Sequence, residues 1–308
     1  METIYISPNQ VLSKKAVVGT VGFFDGVHRG HRFLIDQLKA VAATKQLATA
    51  VITFPVHPRK VLSPDFNPEL LNDFEEKLRQ LAPTGVDYCY VVNFTKDLSQ
   101  LTARQFIHQV LHQQLHLDSL LVGYDHRFGK DRTEGIEAYI RHGREVGMDV
   151  REAESLMIDE RHVSSTRIRS SLSEGNVEEA HRLLSYPYVL EGTVVAGNRI
   201  GRTIGFPTAN IELNDLEKKI PAVGIYAVWV HCGERNYKGM LYIGSRPSIA
   251  GANELRIEVN LVDFSGDLYG QTLRIELIKQ LRGDKKFDSL EALSRQLEAD
   301  RRATLEVL

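Results

Sequence analysis

Around Ser185-Tyr186-Pro187-Tyr188 the hydrophobic pattern of this chain changes kind. Before that point, short apolar runs alternate with segments whose apolar residues recur at helical spacing. Ala16 to Gly22, Ala48 to Phe54, Val86 to Val92 and Ser119 to Gly123 read as buried strands. Arg29 to Thr44 (Phe33, Ile35, Leu38, Val41), Leu70 to Ala82, Thr102 to His116 and Thr133 to Val146, stopped by Gly147, read as helices. Such alternation predicts an α/β domain: a parallel sheet covered by helices on both faces, with ligands beyond the carboxyl ends of the strands. After residue 186 β-rich segments follow: Val189 to Ala196, Gly224 to His231, Tyr237 to Ile243, Leu255 to Val262 and Thr272 to Ile278. Turn residues separate them, which predicts a small antiparallel barrel, closed by a helix from Ser289 to about Val307. The chain has 308 residues, enough for two domains at roughly 150 residues each. The expected division is 1–185 and 186–308.

Net charge is −2 and charged residues make up 25%. No overall field favours nucleic acid or an anionic membrane, so neither is expected as a partner. Lys14-Lys15 before the apolar run 16–24 imitates a signal peptide, but Asp25 follows at once and no small-residue cleavage site is present. Cys89 and Cys232 sit in apolar alternating stretches and read as buried thiols in a reducing compartment. No apolar run is long enough to span a bilayer. A cytoplasmic protein is expected.

The loop after the first buried strand reads Gly22-Phe23-Phe24-Asp25-Gly26-Val27-His28-Arg29-Gly30-His31, and a helix begins there. Helix N-termini offer free N–H groups and a positive dipole end to phosphate. His28 and His31, three apart, face the same way from the first turn. Gly30 leaves room for a nucleotide against the backbone. Taken alone, the pattern fits a helix start with surface histidines equally well. Val163-Ser164-Ser165-Thr166-Arg167-Ile168-Arg169 adds three hydroxyls and two arginines, a dense set of phosphate donors. An ordinary N-cap explains the hydroxyls without needing both arginines.

Together these segments resemble the adenylyltransferase half of the bacterial bifunctional riboflavin kinase/FAD synthetases, and more broadly the Rossmann-like nucleotidylyltransferases. Thr53-Phe54-Pro55-Val56-His57-Pro58 is similar to the family's Thr-Phe-x-Pro-His-Pro, with the proline displaced. Val122-Gly123-Tyr124-Asp125-His126-Arg127-Phe128-Gly129-Lys130-Asp131-Arg132 is similar to its Gly-x-Asp-x-Arg-Phe-Gly loop. The resemblance implies that His28, His31, Ser164, Thr166 and Arg167 hold ATP phosphates, His28, His31 and Arg167 as catalytic groups. It implies that Gly22, Phe24, Asp25, Gly30, His57, Ser165 and Arg169 help bind the nucleotide, and that Asp125, Arg127 and Phe128 shape the FMN and adenine pockets. The implied step is attack of the FMN phosphate on the α-phosphorus of ATP, giving FAD and pyrophosphate. An anionic nucleophile makes a strong general base unnecessary. Mg²⁺ is implied as the ion bridging the phosphates.

In the second half, Gly197, Gly201 and Gly205 recur every four residues. They fit either a glycine-rich hairpin or a loop bringing backbone N–H groups to phosphates. No Gly-Lys-Ser/Thr follows, so it is not a Walker A loop. Next comes Phe206-Pro207-Thr208-Ala209-Asn210. Thr208 and Asn210, two apart, put oxygen ligands on one side of an extended chain, as Mg²⁺ prefers. The segment resembles the Gly-Phe-Pro-Thr-Ala-Asn signature of riboflavin kinases. In Arg256-Ile257-Glu258-Val259-Asn260, alternation places Arg256, Glu258 and Asn260 on one face. That face is either solvated or built for chemistry. The resemblance implies that Glu258 is the base taking the proton of the riboflavin 5′-hydroxyl as it attacks the γ-phosphorus of ATP; Asn260 stands where the family usually has His. Tyr242-Ile243-Gly244-Ser245-Arg246-Pro247-Ser248 resembles a family loop ending in Pro-Thr. Leu281-Arg282-Gly283-Asp284-Lys285-Lys286-Phe287 resembles a segment that would bring Arg282 near the flavin. Riboflavin, ATP, FMN and FAD are thus the implied substrates and products.

Overall fold

The computed structural model describes residues 1–7, 10–12, 16–130, 132–197, 205–247 and 253–308. Lys14, Lys15, Asp131, residues 198–204 with Gly201, and Ser248 lie outside the described residues. Packing divides the chain into two compact units, Met1–Ser165 and Thr166–Leu308.

The first unit is an α/β layer structure on a six-stranded parallel sheet. Its strands are β1 (Glu2–Ile6), β2 (Val17–Val21), β3 (Ala48–Thr53), β4 (Tyr88–Val92), β5 (Leu117–Val122) and β6 (Asp149–Glu152), in spatial order β1-β4-β3-β2-β5-β6. Every residue of β2 is buried, as a strand covered on both faces requires. Alternate side chains go to opposite cores. Val18, Val51 and Val91 pack with Leu34, Ile35 and Leu38 of α1 (Arg29–Lys45). Val17, Ile52 and Tyr90 pack with Ile107 and Leu111 of α4 (Phe106–Gln114) and Tyr139 of α5 (Ile136–Arg144). Between them come α2 (Pro58–Leu62) and α3 (Phe74–Leu81). Each fully enclosed Leu or Ile contributes about 2 kcal/mol. The strand order reverses between β2 and β5, which opens a crevice beyond their carboxyl ends.

Several elements differ from the sequence expectation. β1 is a half-exposed edge strand and β6 a four-residue, mostly charged one, so neither carries a strong apolar run. The helix expected over 102–116 begins as a turn at Ala103–Gln105 and continues as the wider π-helix α4. A two-stranded hairpin, β7 (Met157–Ile158) and β8 (Arg161–His162), also lacks an apolar signal.

The second unit opens with α6 (Ser165–Ser173, from Thr166 on) and α7 (Val177–Leu184). The packing division thus falls before these helices rather than at 186. The physical reason is that α7 packs on β9 and β14, and Ala222 N donates to Leu172 O at 2.8 Å. The strands β9 (Tyr188–Val195), β10 (Ala209–Leu213), β11 (Gly224–Cys232), β12 (Arg235–Pro247), β13 (Asn253–Leu261) and β14 (Thr272–Arg282) form a closed antiparallel barrel in the order β10-β13-β12-β11-β14-β9. β10 is the staple of the barrel that the strand pattern did not show: it bridges β9 and β13. Closure removes free sheet edges. The helix α8 (Leu290–Val307), capped by Ser289, packs across β11, β12 and β14. Cys89 is buried as expected, whereas Cys232 is only half-buried and donates to Gln271 Oε1 at 2.9 Å.

Candidate active sites

In the first unit the loop after β2 lies at the sheet's reversal point. It is backbone-strained: Phe24, Gly26 and Val27 have φ of 56°, 81° and 35°. Non-glycine residues in this region cost about 1–3 kcal/mol each and persist where surroundings enforce them. Three ties do so: Gly22 N donates to Ile52 O at 3.0 Å, Thr53 Oγ1 to Phe23 O at 3.1 Å, and Ser165 Oγ to Asp25 O at 2.9 Å.

The loop delivers the chain into α1 with His28 as N-cap. Its Nδ1 accepts from His31 N at 3.3 Å, so Nε2 carries the proton of the neutral ring. The rings of His28 and His31 stack at 3.6 Å and 14°, and Phe24 meets His31 edge-on at 5.0 Å. A Cβ at Gly30 would press on the His28 ring and Val163 O, each at 3.1 Å, so the glycine is required by close approach. His31 Nδ1 is enclosed and has no hydrogen-bond partner among the described residues. Burial, then His28, Lys77 and His126, hold His31 well below the usual imidazole pKa. The His31 ring is neutral at pH 7, which avoids charge repulsion with the His28 ring stacked on it.

Other expected residues take more structural places. The buried carboxylate of Asp25 accepts from Leu71 N at 2.9 Å and Asn72 N at 3.3 Å. It fixes the segment entering α3. His57 caps α2, accepting from Arg59 N at 3.2 Å, and meets Phe23 edge-on at 4.8 Å. Phe128 stacks on Tyr139 at 4.1 Å against the core. Asp125 and Arg127 are exposed, and Arg127 lines a cavity of about 400 Å³ with Tyr124, His126, Arg141 and Glu152. Ser164 is half-buried. Thr166, Arg167 and Arg169 fall in the second unit, where Arg167 donates to Glu179 at 2.7 Å.

Two residues of this region escaped the sequence reading. His126 has an enclosed Nε2 without a hydrogen-bond partner among the described residues, and burial, then Arg132, push its pKa down to about 4. Lys77 on α3 is 1% exposed. A lysine in Phe74-Glu75-Glu76-Lys77 gives no signal of burial, because it reads as the solvated face of a helix.

In the second unit, β10 and β13 pair Asn210 with Glu258 and Ala209 with Val259. The expected alternation holds: Ile257 and Val259 are buried in the barrel, Arg256 and Glu258 sit on its outer face. That face is organised. Thr208 Oγ1 donates to Glu258 Oε2 at 3.0 Å, Arg256 Nη1 to Glu258 Oε1 at 3.1 Å, and Asn260 Nδ2 to Pro207 O at 2.7 Å. Asn260 thereby anchors the Phe-Pro-Thr turn. Gly197 lies so close that a Cβ there would overlap the Asn210 amide. Gly205 is exposed with φ 82°. Tyr242 pairs with Glu258 across β12 and β13, and burial, then Asp284 and Glu258, raise its phenol pKa. Arg282, in contrast, is drawn to α8: Nε and Nη2 donate to the Asp300 carboxylate at 3.1, 3.1 and 2.8 Å.

Comparisons agree with this two-part architecture. The FAD synthetase family model matches residues 10–167 and the riboflavin kinase model residues 184–308. The bifunctional riboflavin kinase/FMN adenylyltransferase of Escherichia coli K12 is 38% identical over 93% of this chain and 91% of its own length. Those of Listeria monocytogenes and Bacillus subtilis are 37% and 35% identical over 99% of this chain, covering 97% and 98% of theirs. A solved structure described as a macrolide-efflux protein from Streptococcus pneumoniae is 33% identical, with a TM-score of 0.89 over 99% of both chains. Among the described residues of this chain no helix is long and apolar enough to cross a membrane. Two families matched in series, with relatives aligned over nearly their full length, place this chain in the bifunctional riboflavin kinase/FMN adenylyltransferase family.

Proposed function

We propose that this chain converts riboflavin to FMN on its barrel and FMN to FAD on its parallel-sheet half, using ATP at both sites, in the cytoplasm. Residues 186–308 carry the kinase and 1–185 the adenylyltransferase. The observation that carries the reading is the meeting of Thr208 with Glu258 at 3.0 Å, fifty positions apart, on the outer face of the barrel. A structural barrel has no need of such a cluster there.

In the kinase step Glu258 takes the proton of the riboflavin 5′-hydroxyl while that oxygen bonds to the γ-phosphorus and the bond to the leaving ADP oxygen breaks. Arg256 holds the carboxylate in place. The backbone at Gly197 and Gly205, with Pro207, cradles the nucleotide; Gly201, expected to share that role, lies outside the described residues. The Thr208 hydroxyl and Asn210 carbonyl are hard oxygen donors beside a carboxylate, a donor set that fits Mg²⁺. Bound there, Mg²⁺ would neutralise phosphate charge.

In the second step a phosphate oxygen of FMN bonds to the α-phosphorus of ATP and pyrophosphate departs. His28 and His31 orient phosphates through imidazole N–H groups. The hydroxyls and arginines of 164–169 are proposed as further phosphate donors on the motif resemblance, and Arg127 as a contact of the flavin or adenine. Incubating the full chain with riboflavin and Mg-ATP should yield FMN and then FAD. Accumulation of FMN alone would remove the adenylyltransferase assignment.

A further inference from the structure

Lys77 stands out as the buried charge that neither step uses. It projects from α3 beneath the loop after β2. Its Nζ donates to Phe54 O at 3.0 Å and lies over the Phe23 ring at 3.7 Å, with the Phe74 ring at 5.6 Å. One hydrogen bond and two aromatic faces are a sparse shell for an ammonium, which has three donors and loses its hydration on burial. A helix held only by packing would gain by having Leu or Met there.

The geometry around it forms a closed circuit. Phe23 begins the strained loop and Phe54 is the first residue after β3, so the ammonium binds together the loops that leave two adjacent strands. Asp25 in that loop fixes Leu71 and Asn72, the entry to α3. Asp73 and Glu76 then cap α3 reciprocally, at 2.7 and 2.9 Å. The groups that face Lys77 are Asp25 from the loop, Cys89 from β4 and His31 from α1. Glu76, its neighbour on α3, is turned to Asp73 and Asn72. Its charge reaches the nucleotide wall, since Lys77 is among the groups that disfavour protonation of His31.

We propose that Lys77 is the positioning cation of the adenylyl-transfer site: from inside the protein it clamps the loops after β2 and β3 and supplies positive potential that attracts the ATP phosphates to the stacked His28–His31 pair. The proposal rests on the assignment of this loop to ATP. Lys77 touches no substrate; it acts through Phe23, Phe54 and its field. A neutral imidazole such as that of His31 aligns phosphates but does not attract them at a distance, and a charge fixed behind the loop does so without blocking access.

The test is FMN adenylylation by the full chain, as Lys77→Met beside the wild type, across pH 6–10. Burial lowers the Lys77 pKa to about 8, so wild-type kcat/KM for ATP in this reaction should fall through one ionisation near 8, while the riboflavin kinase reaction of the same sample shows none there. Lys77→Met, which keeps the side chain's length and apolar contacts, should raise the KM for ATP roughly tenfold, the scale of one charge across a residue layer, and abolish that limb. A merely structural lysine would leave the pH profile unchanged. An ATP KM within twofold of wild type, or a wild-type profile flat through pH 8, overturns the proposal. If the Met variant does not fold, the wild-type profile decides alone. A wild type that makes no FAD at any pH would instead sink the assignment of the site.

Discussion

Asp300→Ala is expected to loosen α8 from the barrel. The Asp300 side chain is 5% exposed and that of Arg282 19%, so the pair is largely out of water. Without the carboxylate, the guanidinium keeps only Gly283 O at 3.1 Å and the Phe287 ring at 5.7 Å. Gln296 Nε2 loses its acceptor at 2.9 Å as well. Removing one partner of a buried pair costs about 3 kcal/mol, because the other charge is left enclosed. For a unit of this size that is a Tm fall of about 10 °C. The chain has one tryptophan, Trp229 on β11, so its fluorescence reads the barrel unit separately. The Trp transition should drop by about 10 °C in Asp300→Ala. Adding Arg282→Met should restore more than half of the loss, since the orphaned charge goes. A single-variant drop under about 3 °C, or no recovery in the double variant, would refute the burial argument. Riboflavin KM in Arg282→Met tests the flavin contact implied by resemblance: an unchanged value leaves the residue to the helix alone.

Gly197→Ala should cut riboflavin phosphorylation at least tenfold with a Tm change under about 2 °C. The added methyl displaces only the movable end of the Asn210 side chain, so the site suffers and the barrel does not; unimpaired FMN formation would contradict this. Glu258→Gln should abolish FMN formation while FMN supplied directly is still adenylylated; equal loss of both activities in a folded variant would count against separate sites. His126 has a folded pKa of about 4 against about 6.5 unfolded. The unfolded chain therefore binds the proton first as pH falls, and stability present above 6.5 is lost between 6.5 and 4. The full shift corresponds to about 3 kcal/mol, and to about 2 kcal/mol after allowing for the half-buried ring. An imidazole NMR titration with the His126 midpoint above 6 would overturn it.

The sequence by itself determined the two architectures. A run such as Val17–Val21 is apolar at every position, which only a strand buried on both faces tolerates, and the β-rich pattern after 186 left little but a barrel. It also marked the loops, since Gly30, Gly197 and Gly205 are conspicuous locally. Tertiary structure decided what each marked residue does. Asp25 and Arg282 read as ligand-binding groups, and the fold also gives them the partners Leu71–Asn72 and Asp300. Such partners lie far along the chain, and local sequence carries no record of them. Lys77 and His126 show the converse. Their sequence surroundings carry no sign of burial, yet burial is the largest cause of the lowered pKa of each. Periodicity is a local property, so it fixes elements and faces; desolvation and charge pairing depend on what packs against a residue, and only the folded chain supplies that.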